Sequence, residues 1–247
     1  MQIRQGLISL LLLGIAVPGM AMTADELIAK NIQAKGGLEK IKAIDTCKST
    51  GKLEASGDFA IELALSQIVT RKGEIRQEAS LQGLTQIQAW DGHVGWQIQP
   101  FGGRKDPEKL SADDVKGLVE DADIDGPLVD YRAKGNKVEY LGTEDVDGTE
   151  AYKLKVNLKS GDVKYFYFDP DYFLEIRITT RRIIRGTEQE FETDLGNYEQ
   201  VAGVTMPFSF ESGPKGAPKG QKVTIQKIEV NIPVDDAIFA FPATPAN

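Results

Sequence analysis

The sequence predicts a mainly β (α+β) fold, an antiparallel strand series with helical pieces at its start and in its middle. Three observations predict it. Apolar and polar residues alternate with period two through most of the chain after Cys47. Tight-turn signals separate the alternating runs, and two helix-start signatures stand at Thr23 and Ser111.

A different segment precedes these elements. Arg4 lies before an almost wholly apolar run from Leu7 to Val17, broken by Ser9 and Gly14. Pro18 and Gly19 end the run, and small residues follow at Gly19 and Ala21. This is the layout of a secretory signal peptide over residues 1–21, with cleavage after Ala21. As a membrane anchor the run falls short of the roughly 20 apolar residues needed to cross a bilayer. No cysteine follows it to carry a lipid, and no second long apolar run occurs. Residues 22–247 are therefore expected to form a single soluble β domain working outside the cytoplasm.

Within that part, Thr23-Ala24-Asp25-Glu26 is a capping box, and Leu27, Ile28 and Ile32 form one apolar stripe. Gly36-Gly37 breaks the helix, and Leu38, Ile41 and Ile44 resume it briefly. Strand patterns follow at Phe59–Val69, Tyr152–Leu158, Leu174–Ile178 and Val223–Ile225. Asp91-Gly92, Asp147-Gly148, Ser160-Gly161-Asp162 and Arg185-Gly186 supply turns, so the strands read as a meander. Between them Ser111 starts a second helix through Val115, Leu118 and Val119. Gly126-Pro127 interrupts it, and Leu128–Tyr131 continues the spacing by one turn.

Composition narrows the function. The formal charge is −8, and an acidic chain lacks the Lys/Arg surplus that nucleic-acid binding draws on. Cys47 is the single cysteine, so no intramolecular disulfide supports the fold, and a small buried apolar role suits it better than that of a nucleophile. His93, the single histidine, follows the Asp91-Gly92 turn and has no partner at catalytic or metal-ligand spacing. Asp121-x-Asp123-x-Asp125-Gly126 opens like a calcium-binding loop, but Arg132 stands where the bidentate glutamate is needed. Arg181, Arg182 and Arg185 precede Glu188, Glu190 and Glu192, which suggests cross-strand ion pairs. No spacing marks a catalytic pair, so an enzyme is not expected and no cofactor is implied.

The apolar load on the strands is what stands out. Val163–Phe168 carries large side chains on both faces, and Trp90, Trp96, Phe101, Phe208, Phe210, Phe239 and Phe241 add to it. Such faces either pack in a core or line a ligand cavity.

Four features together resemble the periplasmic lipoprotein-sorting carriers, the LolA-like family. They are the amphipathic helix after the leader; Val69-Thr70-Arg71-Lys72-Gly73-Glu74-Ile75-Arg76; the hairpin from Trp90 to Phe101, which matches D-G-x-x-x-W-x-x-x-P; and the closing Phe-Pro segment, Val234 to Pro242. The resemblance implies a half-open antiparallel β-barrel with helices forming a lid over a concave apolar face. It implies a carrier of a lipid or the acyl chains of a lipoprotein, with an inner-membrane transporter and an outer-membrane acceptor as partners. It assigns lid gating to Arg71, with Arg76 as second candidate, although the family's following proline is replaced by Lys72-Gly73. Phe59, Leu63, Trp96, Ile98, Phe166, Phe168 and Ile176 are the expected cavity residues. The alternative is an envelope sensor or interaction module built on the same fold.

Overall fold

The computed structural model describes residues 22–56, 60–184 and 186–242, so the leader, Phe59 and Arg185 lie outside the described residues. Helix α1 spans Ala24–Ala34 and α2 spans Leu38–Lys42. The Thr23 capping box forms in full: Glu26 N donates to Thr23 Oγ1 at 3.2 Å, and Thr23 N donates to Glu26 Oε2 at 2.8 Å. Gly36, at φ +112°, separates the two helices. A Cβ there would sit 2.2 Å from the Gly203 carbonyl oxygen, so only glycine lets the chain turn this close to the sheet.

The strands are β1 (Thr46–Ala55), β2 (Ile61–Thr70), β3 (Ile75–Leu81), β4 (Leu84–Trp90), β5 (Gly95–Gln99) and β6 (Arg104–Lys109). After helix α3 (Ala112–Asp121) come β7 (Lys137–Val146), β8 (Thr149–Asn157), β9 (Val163–Phe168) and β10 (Glu175–Ile184). The series closes with β11 (Thr187–Val201), β12 (Val204–Pro214) and β13 (Gln221–Val230). They form one antiparallel sheet in the order β6-β5-β4-β3-β2-β1-β13-β12-β11-β10-β9-β8-β7. Two meanders thus join where β1 pairs with β13, from Cys47 opposite Val230 to Ala55 opposite Gln221. The free edges are β6 and β7, and the sheet curls into a half-open barrel. Both edges are studded with charge; β6 reads Arg-Lys-Asp-Pro-Glu-Lys.

The linker from β6 to β7 has to pass from one edge to the other, and it does so across the concave face. Leu118 and Ala122 of this linker pack on Val69 and Ile75 of the sheet. Leu27 and Ile28 of α1 pack with Leu128, Leu154, Val156, Phe166 and Phe168. Ile41 of α2 and Ile44 just beyond it pack with Val129 and Val204. Burial of each such side chain contributes roughly 1.5–3 kcal/mol, so the lid is held chiefly by apolar contact. The turn expected at Leu128–Tyr131 is not helical. Asp130 takes φ +52°, which no helix continues through, and the segment forms consecutive turns.

Part of the convex face, over Arg76 of β3 and Trp96 of β5, is covered by the segment from Ile238 to Phe241. Trp96 is 1% exposed, and its Nε1 donates to the Phe239 carbonyl at 2.7 Å. Phe241 meets the Trp96 ring edge-on at 6.3 Å, and Arg76 lies over that ring while donating to the Ile238 carbonyl at 2.8 Å. Trp96→Ala should lower the unfolding free energy by about 3–5 kcal/mol. Urea unfolding measures this, and a loss under ~1 kcal/mol would mean that the closing segment holds without its anchor.

Candidate functional site

Under the lid the concave face leaves an open cavity of about 830 Å³, within the usual range of small-molecule sites. Its floor is apolar: Leu53 from β1, Leu65 from β2, Phe210 from β12, and Val223, Ile225 and Ile228 from β13. Ile41, Ile44 and Ile124 supply apolar surface from the helical side. Gly51 lets β13 approach: a Cβ there would lie 2.2 Å from the Thr224 carbonyl oxygen, beside the register shift between Thr50 and Gly51. Cys47 lines the same wall, half-buried, with its thiol pKa pushed up by burial.

One flank of the cavity is polar. Ser49 of β1 lies opposite Gln67 of β2, Gln67 opposite Gln77 of β3, Gln77 opposite Gln88 of β4, and Gln88 opposite Gln97 of β5. Gln86 lies one pleat away from Gln88, opposite Ala79. Residues directly opposite one another share a face. The result is a belt of side-chain amides across four adjacent strands. Gln77 Nε2 donates to Gln67 Oε1 at 3.0 Å and approaches Asp121 at 3.4 Å. Asp121 is an exposed residue that lines the cavity, and desolvation of its carboxyl there pushes its pKa up.

Arg71 stands at the turn between β2 and β3 and ties the lid down. Its guanidinium donates to the carbonyls of Ile41 (2.9 Å) and Ile44 (2.9 and 2.6 Å) at the end of α2. It also grips both carboxylate oxygens of Asp125 at 3.0 and 2.9 Å. Lys42 completes the pairing of Asp125 at 2.8 Å and reaches Asp130 at 2.7 Å. A second tie crosses from α3 to the far half of the barrel. Glu120 accepts from Arg182 at 2.8 Å and pairs with Lys164 at 3.0 Å, while Arg182 also pairs with Asp162. The calcium-like segment thus has other work: Asp125 is held by Arg71 and Lys42, and Asp123 by Lys134 at 2.6 Å.

The expected cavity residues and the observed wall are different sets. Leu63 faces the concave side, opposite Leu53 and one pleat beyond Leu65, at the outer rim. Phe166 and Phe168 also face inward but are covered by α1. Ile176 packs with Tyr165 and Tyr167 on the other face of β9 and β10. Trp96 and Ile98 alternate with the belt glutamines and so point to the convex side, Trp96 beneath Phe239. Period-two alternation separates two faces without saying which is concave. The belt was visible in the sequence as Gln-x-Gln at 86–88 and 97–99, in step with Gln67 and Gln77. Arg76 lies on the convex face, whereas Arg71 meets the lid. Arg181 pairs with Glu190 across β10–β11 at 3.0 Å as expected, but Arg182 turns to α3. His93 is an exposed turn residue whose amide donates to Asp91.

The Arg71 tie carries a pH dependence. Burial works to raise the Asp125 carboxyl, but hydrogen bonds from Arg71 and Lys42 outweigh it and hold its pKa below the ordinary value. A depressed carboxylate stabilises the folded state above the unfolded pKa, about 3.9, and that contribution is lost as pH falls through the folded value. Amide protection of residues 118–126 should hold down to about pH 4 and fall below it, before the amides of β8 and β9 lose theirs. Hydrogen exchange read by mass spectrometry checks this. Equal protection of both regions at about pH 3 would count against the tie.

No protein-family model and no curated protein matches the sequence. Solved structures do match it in fold. An outer-membrane lipoprotein-sorting protein domain, so named, from Vibrio parahaemolyticus superposes with a TM-score of 0.59 at 9% identity, over 86% of this chain and 95% of that one. A LolA superfamily protein from Nitrosomonas europaea gives 0.60 at 13% identity, over 89% and 98%. A DUF1329 family protein from Desulfovibrio piger gives 0.53 at 12% identity, over 87% and 96%. With its unclosed antiparallel sheet and its helices on the concave side, the chain has the LolA-like fold.

Proposed function

We propose that the protein is a non-enzymatic periplasmic carrier that holds the acyl chains of a lipid or lipoprotein in the concave cavity for delivery towards the outer membrane. The observation that carries this reading is the apolar floor of Leu53, Leu65, Phe210, Val223, Ile225 and Ile228, left open beneath helices tied down by polar contacts. Each methylene buried there would contribute roughly 0.8 kcal/mol, so a long chain supplies ample affinity without a covalent step. The names of the lipoprotein-sorting domain and the LolA superfamily protein support the same cargo class. In this reading residues 1–21 direct export and residues 22–247 act as one unit. An inner-membrane transporter would load the carrier, and an outer-membrane acceptor would unload it.

Arg71 is the gate. It bonds α2 and the segment after α3 at once, so parting its contacts frees both sides of the lid. Opening then costs the loss of these charge-assisted hydrogen bonds together with the parting of the apolar contacts of Ile41, Ile44, Leu118 and Ala122.

Native mass spectrometry of gently purified protein, followed by organic extraction, tests the cargo. A stoichiometric adduct that extracts as a lipid or acylated peptide is expected. A clean apo mass with no uptake of fluorescent fatty acid would favour an interaction module instead. Two further outcomes check the site. Filling the cavity should slow maleimide labelling of Cys47. Arg71→Leu should speed fatty-acid uptake about tenfold in stopped-flow mixing, as loss of ~1.4 kcal/mol of lid stabilisation would. An unchanged rate would remove Arg71 from the gate.

A further inference from the structure

The cavity is two-sided in chemistry as well as in shape. Its floor is apolar, whereas the flank formed by β2 to β4 presents the amides of Gln67, Gln77 and Gln88 in register, with Gln86 one pleat further and Gln97 continuing the row on β5 beyond the cavity lining. Neighbouring strands lie about 4.8 Å apart, so this is a row of donor–acceptor groups at near-constant spacing. Each amide offers two N–H donors and a carbonyl with two lone pairs. The internal bonds use few of these. Gln77 donates to Gln67, and Gln97 accepts from Gln88 at 3.5 Å and Gln99 at 2.8 Å. Gln86 makes no side-chain bond among the described residues, yet none of these amides is buried without a partner, and Gln67, Gln77, Gln86 and Gln88 line the cavity, so their unused groups open into it.

Charge around the belt sets a further limit. Lys35 is the one cation among the described lining residues, and it is paired with Glu175 at 3.2 Å. Asp121 stands at the belt itself, 3.4 Å from Gln77. The cations around the lid segment are engaged as well: Arg71 and Lys42 by Asp125, Lys134 by Asp123, and Lys164 and Arg182 by Glu120. A phosphate brought here would be desolvated beside a carboxylate with no free cation to receive it. A neutral head rich in hydroxyls or amides would instead find partners along the row.

We infer that the cavity selects amphiphiles with an uncharged, hydrogen-bond-rich head, the chain lying on the apolar floor and the head along the glutamine belt. This rests on the carrier reading and specifies its ligand. Glycosyl and peptidyl heads share that chemistry, and the experiment separates them.

The test is displacement of the neutral apolar probe N-phenyl-1-naphthylamine from the purified protein by three amphiphiles sharing a dodecyl-length chain. They are dodecyl maltoside, an N-dodecanoyl dipeptide amide and dodecyl phosphate, each kept below its micellar concentration. At least one neutral competitor should displace the probe at about one-tenth the concentration of dodecyl phosphate, as two added hydrogen bonds would give. Stronger displacement by the maltoside assigns a glycosyl head, and by the acyl dipeptide a peptidyl head. In the Gln67→Leu/Gln77→Leu/Gln88→Leu variant the probe should still bind, with the preference collapsed to within about twofold. Retained probe binding shows that this variant is folded, and three single Gln→Leu variants, each losing part of the preference, serve if it is not. Dodecyl phosphate displacing equally well, or a preference that survives the substitutions, overturns the selectivity while leaving the carrier reading in place. Failure of the wild-type protein to bind probe or any amphiphile overturns both.

Discussion

The pairing of β1 with β13 determines much of the molecule's plan. It joins the two meanders at their backs and leaves β6 and β7, which are separated by a single linker, as the free edges. A linker between two edges of a curled sheet has to cross its mouth or its back. Here the back is taken by the closing segment over Trp96, and the apolar residues Leu118 and Ala122 find their partners on the inner side. The lid is thus a consequence of connectivity, made stable by ordinary amphipathic packing.

The lid's polar ties differ in kind from its apolar contacts. Leu27 and Ile28 sink into a closed core with Phe166 and Phe168, which has no reason to part. Around Arg71 and Asp125 the same enclosure holds groups that water would also satisfy. Such pairs contribute little net stability relative to apolar packing but fix geometry, and they exchange readily for solvent. The barrel therefore has a closed apolar core beneath α1 and mixed apolar and polar contacts beneath α2 and α3. The apolar cavity lies on the side of the mixed contacts.

Much of this architecture was legible in the sequence, for local reasons. The Thr23 box, the Gly36-Gly37 break and the Asp147-Gly148 turn are encoded by neighbours in the chain, and each forms where expected. The turn at Ala202-Gly203 was not legible, because alanine gives no sign of the φ of +51° that it adopts there. The site was less legible still. Alternation places Trp96 and Gln97 on opposite faces but is silent about which face curls inward. The heavier side chain drew attention although it anchors the outside. Arg71 was singled out through family resemblance alone. The donation of its Nη1 to both oxygens of Asp125 joins residues 54 apart, a relation that no local pattern contains.

The charged edge strands carry one more consequence. In a closed barrel the circumference is set by hydrogen-bonded ladders all the way round, and the interior volume is nearly fixed. Here β6, with its Arg-Lys-Asp-Pro-Glu-Lys run, resists pairing with β7 or with another molecule's sheet. No backbone ladder sets the girth of this barrel, so it can splay or tighten about the β1–β13 seam without breaking any strand pairing. In the carrier reading proposed above, one cavity would in this way adjust to chains of different number and length, with the lid contacts resisting the change.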